Sequence, residues 1–86
     1  MRAIEVQLFG LFRDLEPQAR MRLEVDGERV GDLRVAVVAH ARAHWPAAAC
    51  ALVARTAFAS ESSVLRDGDP LPDTGAMALL PPVSGG

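Results

Sequence analysis

Two short runs of strict alternation stand ahead of a run with helical spacing, and few small folds can use that order. Ile4, Val6 and Leu8 alternate with Glu5 and Gln7, so the segment Ala3–Phe9 reads as a half-buried strand. Met21, Leu23 and Val25 alternate with Arg22 and Glu24, giving a second strand that closes at the turn pair Asp26-Gly27. Between them Gly10 breaks the pattern, and residues 11–17 read as a connection carrying two or three buried anchors. The pair predicts an antiparallel hairpin with a long loop.

The period then changes. Gly31-Asp32 supplies an N-cap candidate, and Leu33, Val37, His40 and Ala41 follow at helical spacing, with Arg34 and Arg42 on the opposite side. Pro46 ends the helix by forcing Trp45 out of helical geometry, which places the helix at about 32–44. The alanine-rich stretch from Ala47 predicts a short helical turn running into a strand at about 55–59, and a brief strand covers 63–66. Turn formers crowd residues 67–75. Residues 76–80 are apolar on both faces, which predicts a strand central in its sheet, and Pro81-Pro82 stops it. One helix must therefore cover one face of a small mixed sheet, a small α+β domain.

With 86 residues the chain holds one domain. A net charge of −2 and a pI near 5.5 argue against a nucleic-acid binder, which would carry a basic stripe. No apolar run approaches a membrane span of ~18 residues, and no apolar signal core follows Arg2. Cys50 is the single cysteine, which reads as a small buried hydrophobe in a reducing compartment; the expected location is the cytoplasm. The chain has no lysine, and its side-chain cations are arginines, a bias that a GC-rich genome would produce.

Chemistry-bearing motifs are sparse. His40 and His44 stand four apart, a spacing able to hold a metal, but no third ligand joins them at a recognisable spacing, so no metal site is expected. No phosphate loop or nucleophile–base set is evident, so the chain is not expected to catalyse anything unaided. The last residues are Pro81-Pro82-Val83-Ser84-Gly85-Gly86. Double glycine at a given terminus arises by chance about once in two hundred chains. Two prolines give a stiff, extended exit that sets direction, and glycines lacking Cβ can thread a narrow cleft. Ser84 and Gly85 keep the tail slender, so that a carboxylate on Gly86 could be presented to a partner. Phe9 faces away from Ile4, Val6 and Leu8; it reads either as part of a second small core or as an exposed aromatic anchor.

Leu79-Leu80-Pro81-Pro82-Val83-Ser84-Gly85-Gly86 resembles the C-terminal signature of the molybdopterin synthase small subunit (MoaD family). Residues 6–15 resemble that family's first strand and loop, and Asp67-Gly68-Asp69-Pro70-Leu71 its turn before the last strand. The turn Asp73-Thr74-Gly75-Ala76 departs from the family's more acidic pattern, as does the absence of lysine. The resemblance implies a β-grasp (ubiquitin-like) fold of about five strands and one main helix over 1–82, with a flexible tail at 83–86. It further implies that an E1-like adenylyltransferase, using ATP, joins Gly86 to AMP and that sulfur then replaces AMP to leave a thiocarboxylate. The tail, Pro81, Pro82, Val83, Ser84 and Gly85, would insert into the large subunit of molybdopterin synthase, usually a heterotetramer, with Phe9 and Leu79 at the partner interface. No bound cofactor and no metal are implied. Related carriers for thiamin, cysteine or tRNA thiolation also end in Gly-Gly, as do protein modifiers, and these are the alternative readings.

Overall fold

The structure is a computed structural model that describes residues 1–81. Strand β1 (Arg2–Leu8) leads into a 3₁₀ helix (Gly10–Leu15) and then β2 (Arg20–Val25). Helices α1 (Val30–His44) and α2 (Ala47–Val53) follow, then β3 (Ala57–Ala59), β4 (Val64–Leu65) and β5 (Ala76–Leu80). The expected tail at 83–86, and Pro82 before it, lie outside the described residues.

The five strands form one sheet in the order β2-β1-β5-β3-β4. β1 and β2 are antiparallel, β1 and β5 parallel, and β5 antiparallel to β3. β5 is thus central, as its two apolar faces require. A mixed sheet whose first and last strands lie parallel in the middle, with a helix following the first hairpin, is the β-grasp arrangement. Ile4, Val6 and Leu8 of β1, Met77 and Leu79 of β5, and Phe58 of β3 are buried together with Leu33, Val37 and Ala41 of α1. Phe12 of the 3₁₀ helix is fully buried and stacks on Trp45 at 5.7 Å between ring centroids.

Three expectations change. Helix α1 begins at Val30, two residues before the proposed N-cap. Asp32 lies inside the first turn, and its carboxylate accepts the Arg29 N–H at 3.1 Å. The first helical N–H groups are held from a distant loop: Val30 donates to the Asp69 carbonyl (2.9 Å) and Gly31 to that of Asp67 (2.8 Å). Arg34, expected on the side of α1 opposite Leu33 and Val37, is bound across the fold. Its Nη1 donates to the carbonyls of Val53 (2.8 Å) and Thr56 (3.1 Å), its Nε and Nη2 bind the Asp67 carboxylate, and its guanidinium lies 4.8 Å from the Phe58 ring centroid. One side chain therefore joins α1, the end of α2, the start of β3 and the 67–69 turn. Residues 47–53 form two full turns of helix, more than the single turn expected.

Candidate functional site

The parallel pairing of β1 and β5 puts Leu8 beside Leu79, so both strands end at the same edge of the sheet. The chain leaves β5 at Pro81 next to the residues that follow β1, Phe9 and Gly10. Gly10 adopts a left-handed φ of +60°, which opens the 3₁₀ helix and which a side chain would resist. It is also pressed against the Pro81 ring: a Cβ at Gly10 would lie 2.5 Å from Pro81 Cγ. Close packing at Pro81 thus depends on a glycine 71 positions earlier, and Pro82 lies outside the described residues.

Phe9 continues the alternation of β1 onto the sheet face away from α1. It is 40% exposed, so the reading as part of a second small core falls. Beside it lies a shallow groove of about 250 Å³ lined by Gln7, Phe9, Ala59, Glu61, Ala76 and Ala78. Gln7, Ala78, Ala59 and Val64 are aligned across four strands, and Leu80 stands opposite Ala57. Around the exit this face is therefore a platform of small apolar side chains flanked by Phe9 and by Val64, which is 64% exposed. The β1–β2 half of the same face is polar, with Glu5, Gln7, Arg20, Arg22 and Glu24.

Leu79 does not belong to this surface. It is fully buried, because the register that pairs it with Leu8 turns it toward α1. The expectation that it contacts a partner is corrected: Ala76, Ala78 and Leu80 are the β5 residues directed outward. Of the other expected site residues, Pro81 is half-buried at the exit, while Pro82, Val83, Ser84, Gly85 and Gly86 lie outside the described residues.

A second polar cluster sits on the helix side. The Glu16 carboxylate accepts the Trp45 Nε1–H at 2.8 Å and lies 2.9 Å from His40 Nε2, and the His44 ring lies 4.7 Å from that of His40. Burial pushes the Glu16 carboxyl up, but hydrogen bonds from His40 and Trp45, with the charge of His40 and His44, outweigh it and hold the carboxyl below its usual range. His40 thus lies at the core's edge and His44 in solvent, as expected. Sequence reading overlooked Glu16, whose only signal is its place before Pro17. Cys50 is half-buried, with Sγ 3.8 Å from the Trp45 carbonyl oxygen. Among the described residues no group of three or more His, Cys, Asp or Glu is arranged to hold a metal ion.

Among the described residues the groove beside Phe9 is mainly apolar, with Gln7, Ser60 and Glu61 its polar side chains.

Fold and topology together define a ubiquitin-like β-grasp domain. The crystal structure of SAMP1 from Haloferax volcanii is similar to it, with a TM-score of 0.67 and 23% identity over 99% of this chain and 100% of that one. No family model matches the chain, and no curated protein does. No helix of the structure is long and apolar enough to cross a membrane.

Proposed function

We propose that the chain is a ubiquitin-like sulfur carrier, acting as the small subunit of a molybdopterin synthase in the cytoplasm. The observation that carries this reading is the junction at Gly10 and Pro81. The central strand of the β-grasp core ends at Pro81, packed beside Gly10, and the sequence that follows is Pro82-Val83-Ser84-Gly85-Gly86.

The reading requires Gly86 to be the terminal residue of the working chain. Its carboxylate attacks the α-phosphate of ATP on an E1-like adenylyltransferase, releasing pyrophosphate and forming an acyl-adenylate. Hydrosulfide from the sulfur donor attacks the acyl carbon and displaces AMP, leaving a thiocarboxylate. In the large subunit that sulfur attacks a carbon of the pterin precursor and displaces an oxygen substituent from it, and water hydrolyses the resulting thioester to release the product thiol and restore the carboxylate. The carrier supplies reach and a reactive end, while the partners supply acid, base and positioning. It is inactive alone, binds no cofactor itself, and pairs with the large subunit in a heterotetramer. The platform around Phe9 is the surface either partner would grip.

A modifier reading shares the adenylation and differs only in the final acceptor, a lysine amine that forms an isopeptide bond. It is favoured by the likeness to SAMP1, a ubiquitin-like small archaeal modifier protein. Transfer to thiamin, cysteine or tRNA precursors is the other branch. Reconstitution with the adenylyltransferase, ATP, a sulfur donor and the large subunit tests the proposal. The full chain should support molybdopterin formation, and a chain lacking Gly86 should not, with its thermal melting unchanged. Sulfur transfer by the shortened chain would sink it.

A further inference from the structure

The sheet has one long free edge. β2 pairs with β1 on one side only, and among the described residues no strand covers its other side. The β1–β2 register fixes which backbone groups that edge presents. Leu8 N–H donates to the Ala19 carbonyl at 2.7 Å, and the same register pairs Val6 with Met21 and Ile4 with Leu23. In an antiparallel ladder alternate residues bond to the same neighbour, so Met21, Leu23 and Val25 direct their N–H and C=O groups at β1. Arg20, Arg22 and Glu24 direct theirs at open solvent.

Edge strands usually resist pairing by carrying charge. Here the charge is arranged in mirror order, with Arg20 and Arg22 before Leu23 and Glu24 and Asp26 after it. Placed antiparallel against its own copy with Leu23 on the two-fold axis, β2 sets Arg22 opposite Glu24 and Arg20 opposite Asp26, each twice by symmetry. The Arg22–Glu24 positions are also those whose free backbone groups meet, so each exchanges a pair of N–H···O bonds. Centring the pairing on Arg22 or on Glu24 would instead set like charges face to face, which is unfavourable. On the other side of the sheet Leu23 meets Leu23 and Met21 meets Val25. Leu23 is half-buried and packs on the core's rim. Val35, 70% exposed, and Ala39 line a groove of about 240 Å³ between α1 and β2 together with Glu24 and Asp26. Apolar area thus lies along the same seam. Arg22, Glu24 and Asp26 make no ion pair within the chain among the described residues, whereas Arg20 has Glu5 at 3.6 Å.

We propose that two copies of this chain associate through the free edges of β2, antiparallel about a two-fold axis at Leu23, to form one continuous sheet with both α1 helices on the same face. The partner is a second copy because the strand's charges are complementary to themselves in one register. The exit at Pro81 leaves β5, which β1 separates from this edge, so both exits stay open in the dimer. The inference does not depend on what the tail carries.

Sedimentation equilibrium across a concentration series tests it, using the wild-type chain and the variants Arg22→Glu and Glu24→Arg. Both positions are exposed; Glu24 faces Ala3 on β1, so E24R meets no like charge across the strand pair, whereas R22E faces Glu5, and a thermal melt of each variant checks that it is folded. The wild type should dimerise, more weakly as salt is raised. Each variant alone should dimerise at least about tenfold more weakly, since like charges then face each other at two symmetric positions. An equimolar mixture of the variants should recover dimerisation. In the mixed pair the two introduced charges face each other with opposite sign, and the unaltered Glu24 of one chain meets the unaltered Arg22 of the other. A wild type that stays monomeric at every concentration its solubility allows would overturn the proposal. So would variants that associate as tightly as wild type, or folded variants whose mixture recovers nothing.

Discussion

Trp45 donates its indole N–H to the Glu16 carboxylate at 2.8 Å, joining the residue that ends α1 to the loop that precedes β2. His40 approaches the same oxygen at 2.9 Å, so one carboxylate ties two turns of α1 to the loop. Because the carboxyl is held below its usual range, ionised Glu16 stabilises the fold. That contribution is fully present above the pKa of an unfolded-state glutamate and is lost as the pH falls through the depressed folded value.

Glu16→Gln should therefore cost about 1 kcal/mol at neutral pH and progressively less in acid, where the wild-type carboxylate is itself protonated. Urea unfolding of both proteins between neutral and acidic pH measures the gap. A gap that widens as pH falls would contradict the assignment.

Gly10→Ala should destabilise the fold by about 1–2 kcal/mol through the left-handed φ alone, less a few tenths regained from a stiffer unfolded chain. The methyl must also displace the Pro81 ring, so the exit should move. Denaturant unfolding together with sulfur-transfer rates checks both effects. Unchanged stability and unchanged transfer would show that the close approach of Gly10 to Pro81 has no consequence.

Arg34→Lys should cost about 2 kcal/mol, because an ammonium cannot bind the Val53 and Thr56 carbonyls and fork onto Asp67 at once. Asp67→Asn should cost under ~1 kcal/mol, since that end of the pair is more than half exposed. Thermal melts of the two variants decide whether the carbonyl contacts or the ion pair dominate.

Strands and helix were legible because each keeps a clean period: Ile4-Val6-Leu8 and Met21-Leu23-Val25 at two, Leu33-Val37-Ala41 at helical spacing. The start of α1 was not, because the groups that hold Val30 and Gly31 are carbonyls at 67 and 69, joined to them only by the fold. The inward turn of Leu79 was hidden for a related reason. A strand apolar on both faces has no alternation to read, and its facing is set by pairing with Leu8. Exposure of Phe9 was half legible, since its parity along β1 was clear but its cover was not. The contact between Gly10 and Pro81 depends on β1 and β5 lying parallel, which no local pattern in either segment encodes. The same holds for Arg34, whose partners at 53, 56 and 67 no helical spacing reveals.

On the proposed function, Gly86 ends the working chain and carries sulfur there. Intact-mass spectrometry of the protein purified from its native cell tests this most directly. The expected species ends at Gly86 and exceeds the unmodified chain in mass by the difference between one sulfur and one oxygen, and it is lost on treatment with a thiol-alkylating reagent in favour of the alkylated product. A population bearing only the plain carboxylate while molybdopterin is being made, or one joined by its C-terminus to lysines of other proteins, would contradict it.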